Sequence, residues 1–256
     1  MSGSLDNYTE KREMIDELRD SNQALARFAY VCSHDLKEPA RLANNFGELL
    51  QDLAASKLDE EERLYLSHMV NNTARMQDMI GDMLTYAQIE NKSVVIEHVD
   101  LDSEFDNLLE HLQLAIEESG ATVTKTHLPT IRADRLQMFQ ILLNLISNGI
   151  KFRGERQPVV HVSSVEVTDY WQFAVSDNGI GMEAEHTGKI FGEFQRLNRS
   201  EDYPGTGIGL SICQKIVARH HGRIWVDSKV GEGSTFYFTI PKSTTSKITS
   251  GTLYNV

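Results

Sequence analysis

The sequence predicts a two-domain α+β protein: an N-terminal helical hairpin that dimerises into a four-helix bundle, then a C-terminal α/β sandwich. Three observations lead there. Up to about Glu90, apolar residues recur at helical spacing without a glycine-rich break. From Val94 onward, short alternating runs of strand type interleave with longer amphipathic runs. The closely spaced glycines fall only in that second part.

In the first part, Leu18, Leu25, Phe28, Cys32, Leu42, Phe46, Leu49 and Leu53 follow steps of three and four or their multiples. Leu66, Met69, Thr73, Met76, Ile80, Met83 and Ala87 repeat the rhythm. Such stripes bury themselves against partner helices. Ser56 to Asp59 makes the connection between the two helices. A lone two-helix hairpin has too little core, so two chains are expected to pair. A longer monomeric helical core closed by the second half is the other arrangement. The rhythm begins before Leu25, which predicts residues 1–21 as a coiled-coil linker.

In the second part, VVIEHV from Val94 reads as a strand and DSEFDNLLEHLQLAIEESG as an amphipathic helix stopped by Gly120. ATVTKT and PTIRA are short strands. DRLQMFQILLNLISNGIKF is a helix capped by Asp134. PVVHVSSVEV and WQFAVSD alternate as a hairpin, and GRIWVDS and STFYFTIP close the fold. Helices on one side of a largely antiparallel sheet make a sandwich. The tail 243–256 has little apolar content and is expected to be loose.

Composition narrows the function. A 256-residue chain with 40% hydrophobic and 24% charged residues is of globular type. Its net charge of −12 argues against unspecific nucleic-acid binding, which needs a basic face. Cys32 and Cys213 show no metal spacing and read as buried free thiols of a reducing compartment. No apolar run approaches the ~18–20 residues a bilayer span needs, and a signal-peptide pattern is lacking. The expectation is a soluble, cytoplasmic protein.

Several clusters carry candidate chemistry. His34, in FAYVCSHDLKEP, lies one step off the first stripe and points along the flank of the seam. Asp35 can orient its ring or take its proton, leaving a nitrogen lone pair to attack. Lys37 offers charge to an incoming phosphate, and Pro39 lets the helix bend. On one helix face, Asn144, Asn148 and Lys151 bring amide oxygens suited to Mg²⁺ and an ammonium suited to phosphate. In DNGIGM, Asp177 at a strand end can accept an exocyclic amino group, while Gly179 and Gly181 allow close backbone approach. PGTGIGL runs into a helix, so Gly205, Gly207 and Gly209 sit where amides face an anion. GEGSTF adds another glycine turn. Between the glycine motifs, KIFGEFQRLNRSEDY reads as a lid, with Lys189 and Arg196 reaching phosphates while Phe191 and Phe194 pack it down.

The ordered set SHDLKEP, NLISNGIKF, DNGIGM, KIFGEFQRL, GTGIGLSI and GEGSTF resembles the H, N, G1, F, G2 and G3 boxes of bacterial sensor histidine kinases, over residues 22 to 242. The SHDLKEP form looks like that of phytochrome-type and other PAS-linked kinases. The resemblance implies that the linker 1–21 comes from a sensor domain missing from this chain, followed by a dimerisation and histidine phosphotransfer domain over 22–90, a hinge at 91–93, and a Bergerat-type ATP-binding domain over 94–242. It implies His34 as phosphoacceptor with Asp35 as its acid/base neighbour, and Asn148 as the Mg²⁺ ligand with Asn144 beside it. Lys151, Lys189 and Arg196 would meet the phosphates, and Asp177 the adenine amino group, with Gly179 and Gly181 shaping that wall. Gly205, Thr206, Gly207, Gly209 and Leu210 would line the lid and phosphate side. ATP with Mg²⁺, a homodimer and a response-regulator receiver domain are the implied cofactors and partners.

One position departs from the family. Many members carry Thr or Asn four residues after the histidine, to position the water that dephosphorylates the partner; here Glu38 stands there. A carboxylate would repel an aspartyl phosphate, so the chain is expected to be mainly a phosphate donor. Two rival readings are a non-catalytic nucleotide-binding dimeric scaffold and a GHL-type ATPase. The second would need a catalytic glutamate near Asn144.

Overall fold

The computed structural model of the chain describes residues 33, 35–54, 57–91, 93–192, 195, 197, 203 and 205–242. The expectations for residues 1–21, Cys32, His34, Phe194, Arg196 and the tail lie outside them. The chain divides into two compact units, Met1–Ser93 with Lys189–Ile212, and Val94–Gly188 with Cys213–Val256. Among the described residues, no helix is long and apolar enough to cross a membrane.

The first unit holds the helical hairpin. Helix α1 covers residues 35–54, with Ser33 also helical, and α2 covers Glu60–Asn91. Asp59 starts α2 by a reciprocal capping box: its carboxylate accepts from Glu62 N at 2.8 Å, and Glu62 accepts from Asp59 N at 3.0 Å. The helices meet through small residues. A Cβ on Gly47 would lie 2.7 Å from Val70 Cγ2, and Gln77 Nε2 donates to Ala40 O at 3.2 Å. Ala40, Asn44 and Val70 are buried on this seam, whereas Leu42, Phe46, Leu49 and Leu53 are exposed. Helix α2 continues through Asn91, so of the expected hinge 91–93, Asn91 is still helical and Ser93 is irregular.

The second unit carries the sheet. Strand β1 (Glu97–Asp100) pairs antiparallel with β3 (Thr130–Ala133). Strands β2 (Thr122–Lys125), β4 (Val159–Glu166), β5 (Tyr170–Asp177), β7 (Gly233–Pro241) and β6 (Ile224–Lys229) follow in that spatial order. Among the described residues, only the β2–β4 pair is parallel, as its crossover requires. Helices α3 (Leu101–Ser119), α4 (Arg135–Lys151) and α5 (Gly209–Arg219) complete the element order. Alternation fixes the core: Val160, Val162, Phe173, Val175, Phe236, Phe238 and Ile240 all point inward and are buried. Phe173 and Phe238 stack with centroids 4.8 Å apart. Each such side chain removed from water contributes about 1.5–3 kcal/mol.

Two boundaries differ from the sequence reading. The strand expected from Val94 begins at Glu97, because its partner β3 ends at Ala133 and the next residue, Asp134, is the N-cap of α4. Val95 N–H instead donates to Asp134 Oδ2 at 3.1 Å. Helix α3 starts at Leu101, since Asp100 ends β1 and caps the helix, its carboxylate accepting from Asp102 N and Ser103 Oγ. Gly120 closes α3 at φ 65°, as expected of a left-handed C-cap. Helix α5 ends in a Schellman arrangement, with His221 N donating to Ala218 O and Gly222 N to Val217 O. The left-handed position there belongs to His221, at φ 59°.

Candidate nucleotide and phospho-acceptor sites

Helix α4 presents two faces. Asp134 caps it by accepting from Gln137 N at 3.2 Å. Ile141, Leu142, Leu145, Ile146, Gly149 and Ile150 are buried, while Asn144, Asn148 and Lys151 lie half-buried on the opposite face, as their spacing predicts. Asn144 is engaged with the protein: Oδ1 accepts from Gln140 at 3.3 Å and Nδ2 approaches Cys213 Sγ at 3.7 Å. Among the described residues, the Asn148 carboxamide has no hydrogen-bond partner. Lys151 Nζ lies 4.3 Å from the Phe152 ring centroid. Cys213 is a buried free thiol, as expected, and burial pushes it up to about 12.

Asp177 ends β5 and faces α4. The Cβ that Gly149 lacks would lie 3.2 Å from Asp177 Cβ and 2.8 Å from Val160 Cγ2, so glycine in mid-helix lets the two elements touch. Asp177 Oδ1 accepts from Gly179 N at 2.8 Å and Ser234 N at 3.2 Å, which fixes the carboxylate from the following loop and from β7. Burial raises its pKa, an effect the two amides oppose.

The loop after Asp177 is tightly held. Ile180 N donates to Phe152 O at 3.0 Å, and Gly231 N donates to Ile180 O at 2.8 Å. A side chain on Gly179 would strike Phe152 O at 2.3 Å. At Gly181, where φ is 63°, it would strike Lys229 O at 2.0 Å. The atoms nearest both glycines are thus the chain's own carbonyls. Ser228 Oγ accepts from Met182 N at 2.9 Å and donates to Gly233 O at 3.0 Å. Gly149, Phe152, Ser228 and Ser234 escaped the sequence reading. Gly149 alone carried a signal, because glycine inside a helix costs stability unless close packing needs it.

Lys189 and the segment from Gly205 to Leu210 belong to the other compact unit. Lys189 is exposed and Phe191 is buried. Gly205 and Gly207 have φ of 150° and 78°, and Gly209 and Leu210 open α5, half-buried. Thr206 Oγ1 donates to Asp82 Oδ2 on α2 and accepts from Ile208 N at 3.3 Å. Asp35 is exposed on α1. Glu38 is bound in a fork, accepting from Arg41 Nη2 at 2.7 Å and Nε at 3.0 Å, and this guanidinium lowers its pKa.

Comparison with known proteins agrees with this arrangement. A family model described as the His Kinase A (phospho-acceptor) domain matches residues 24–92. One described as the histidine kinase-, DNA gyrase B-, and HSP90-like ATPase matches residues 133–244. The chain is 40% identical over 232 residues to cyanobacterial phytochrome A of Nostoc sp., covering 91% of this chain and 30% of that protein. It is 33% identical over 247 residues to the adaptive-response sensory kinase SasA of Microcystis aeruginosa, covering 91% of this chain and 62% of that one. The crystal structure of full-length ShkA in complex with AMPPNP aligns with a TM-score of 0.65 at 25% identity, over 86% of this chain and 46% of that chain. The chain therefore spans 30% of the phytochrome's length and 62% of the sensory kinase's. With both domains matched and in the same order, the chain belongs to the catalytic cores of sensor histidine kinases.

Proposed function

We propose that the chain is an ATP-dependent protein-histidine kinase: the γ-phosphoryl group of ATP passes to a ring nitrogen of His34, and then to an aspartate of a response-regulator receiver domain. The observation that best supports the nucleotide half is the fixed, half-buried Asp177 carboxylate abutting α4 at Gly149, one residue from the half-buried Asn148 amide. Held by two amides through Oδ1, Asp177 is set to accept the adenine amino group. Phosphoryl transfer asks the protein mainly for positioning and charge compensation. The Asn148 amide oxygen suits Mg²⁺, a hard ion that when bound neutralises triphosphate charge. Lys151 supplies a cation one turn on, and the glycine-rich segment from Gly205 through Leu210, with Lys189 and Arg196, covers the phosphates. Asp35 keeps the His34 ring ready to attack.

The same reading assigns residues 22–90 to dimerisation and phosphotransfer, 91–93 to a hinge and 94–242 to ATP binding. The exposed stripe of α1 supports a homodimer through the hairpin, and an ATP-consuming core of this kind works in the cytoplasm. The Glu38–Arg41 fork supports a donor without the usual phosphatase activity, because both carboxylate oxygens are occupied beside the phosphoacceptor position. The test is a double dissociation. His34→Gln should abolish labelling from γ-labelled ATP while nucleotide binding survives. Asp177→Asn should weaken binding about ten- to a hundredfold, the worth of a charge-assisted hydrogen bond. Parental behaviour in both variants would refute the assignment.

A further inference from the structure

Arg156, in the loop between α4 and β4, has no role in the reading above. One nitrogen of its guanidinium, Nη2, donates to two main-chain carbonyls, Asn178 O at 2.8 Å and Gly231 O at 2.9 Å. Asn178 directly follows Asp177, while Gly231 sits in the turn joining β6 to β7 at φ 79°. Two carbonyl dipoles aimed at one point repel each other unless a cation lies between them. Arg156 supplies that cation from a third segment.

The strip it holds bears directly on Asp177. Residues 178–180 hang between the end of α4 and the β6–β7 turn, through Ile180 N to Phe152 O and Gly231 N to Ile180 O. The Asn178 side chain is spent on Val159 N at 2.8 Å and Gln157 O at 3.0 Å, so it braces the outer side only. Gly179 N is one of the two donors that set Asp177 Oδ1. Any relaxation of this strip moves that donor and turns the carboxylate.

We infer that Arg156 is a positioning residue for the base-reading wall of the nucleotide site, and that it sharpens the choice of an amino-bearing purine over one carrying an oxygen there. The inference rests on the reading that Asp177 receives the adenine amino group. Arg156 acts through the two carbonyls and needs no contact with nucleotide. Guanine presents an oxygen where adenine presents its amino group, and a well-aimed carboxylate repels it. Loss of aim therefore weakens ATP more than GTP.

The experiment uses the full chain and measures ATP and GTP affinity together with thermal melting, in Arg156→Met, Arg156→Lys and Asp177→Asn. Arg156→Met should weaken ATP about fivefold or more and reduce the ATP-over-GTP preference, as expected for a charge-assisted bond partly screened by solvent. Its melting should change little, because Arg156 is exposed. Both bonds leave from one nitrogen, so a lysine ammonium can replace it, and Arg156→Lys should stay within about twofold of the parent. If Asp177→Asn weakens ATP and Arg156→Met changes neither affinity nor preference, the inference falls and the site reading stands. Equal loss of ATP and GTP in Arg156→Met with lowered melting would reduce Arg156 to a structural role and overturn the inference. A lysine variant as weak as the methionine one would also overturn it. If Asp177→Asn itself binds like the parent, the site reading fails first.

Discussion

The helical hairpin and the ATPase domain bury their apolar residues in opposite ways. In the sheet domain Val160, Val162 and Phe173 reach 0% exposure within one chain. On α1, the same kind of periodic stripe leaves Phe46 62% and Leu53 75% exposed. One region is closed by its own strands and helices. The other pairs α1 with α2 through small residues at Ala40 and Gly47 and leaves a large-residue face uncovered. Under the proposed homodimer, a second chain covers that face. The contrast teaches that periodicity says which residues want burial, but not whether the partner surface is in the same chain.

Charging the stripe should break this contrast with the largest effect. Phe46→Glu with Leu53→Glu, read by light scattering, should raise the dimer dissociation constant more than a hundredfold, since each buried charge costs several kcal/mol and a symmetric interface counts it twice. The ATPase domain should keep its melting transition. Phe173→Ala should do the reverse, costing that domain about 3–5 kcal/mol through a cavity beside Phe238 while association persists. Calorimetry at two protein concentrations separates the two.

A smaller effect sharpens the view of the sheet domain as self-contained. Lys125 Nζ contacts Asp102 at 2.9 Å and Asp106 at 3.1 Å, joining β2 to α3. The hydrogen bond from Lys125, with the amide of Leu128 and His127 helping, holds the Asp102 carboxyl at about 2. Its folded-state pKa is depressed from 3.8, so its stabilisation is complete above about pH 4 and is lost as pH falls through about 2. Lys125→Met should therefore cost about 1 kcal/mol at neutral pH, the scale of a part-exposed network. Its deficit against the parent in denaturant titrations should shrink between pH 4 and 2. The smallest expected effect is a gain: His221→Gly should add up to about 1 kcal/mol, because a left-handed backbone strains a β-carbon.

Much of this was legible beforehand. The caps Asp134 and Gly120, the β4–β5 hairpin and the Asn144/Asn148/Lys151 face follow from local pattern, because each depends on neighbours within a few residues. The rest depends on contacts distant in sequence. Val94 to Ile96 looked like strand, yet the partner strand had already ended. Ser234 reaches Asp177 across 57 positions, and Arg156 reaches Gly231 across 75. No spacing rule announces such pairs. The glycines of DNGIGM were found as a motif, but their close neighbours proved to be the chain's own carbonyls at Phe152 and Lys229.

The most direct test of the central claim is to incubate the chain with γ-labelled ATP and Mg²⁺ and map the label by peptide analysis after acid and base treatment. The account predicts one stoichiometric label per chain at most, lost in acid, stable in base and confined to the peptide containing His34. Label stable in acid, label elsewhere, or ATP turnover without any labelled protein would contradict it.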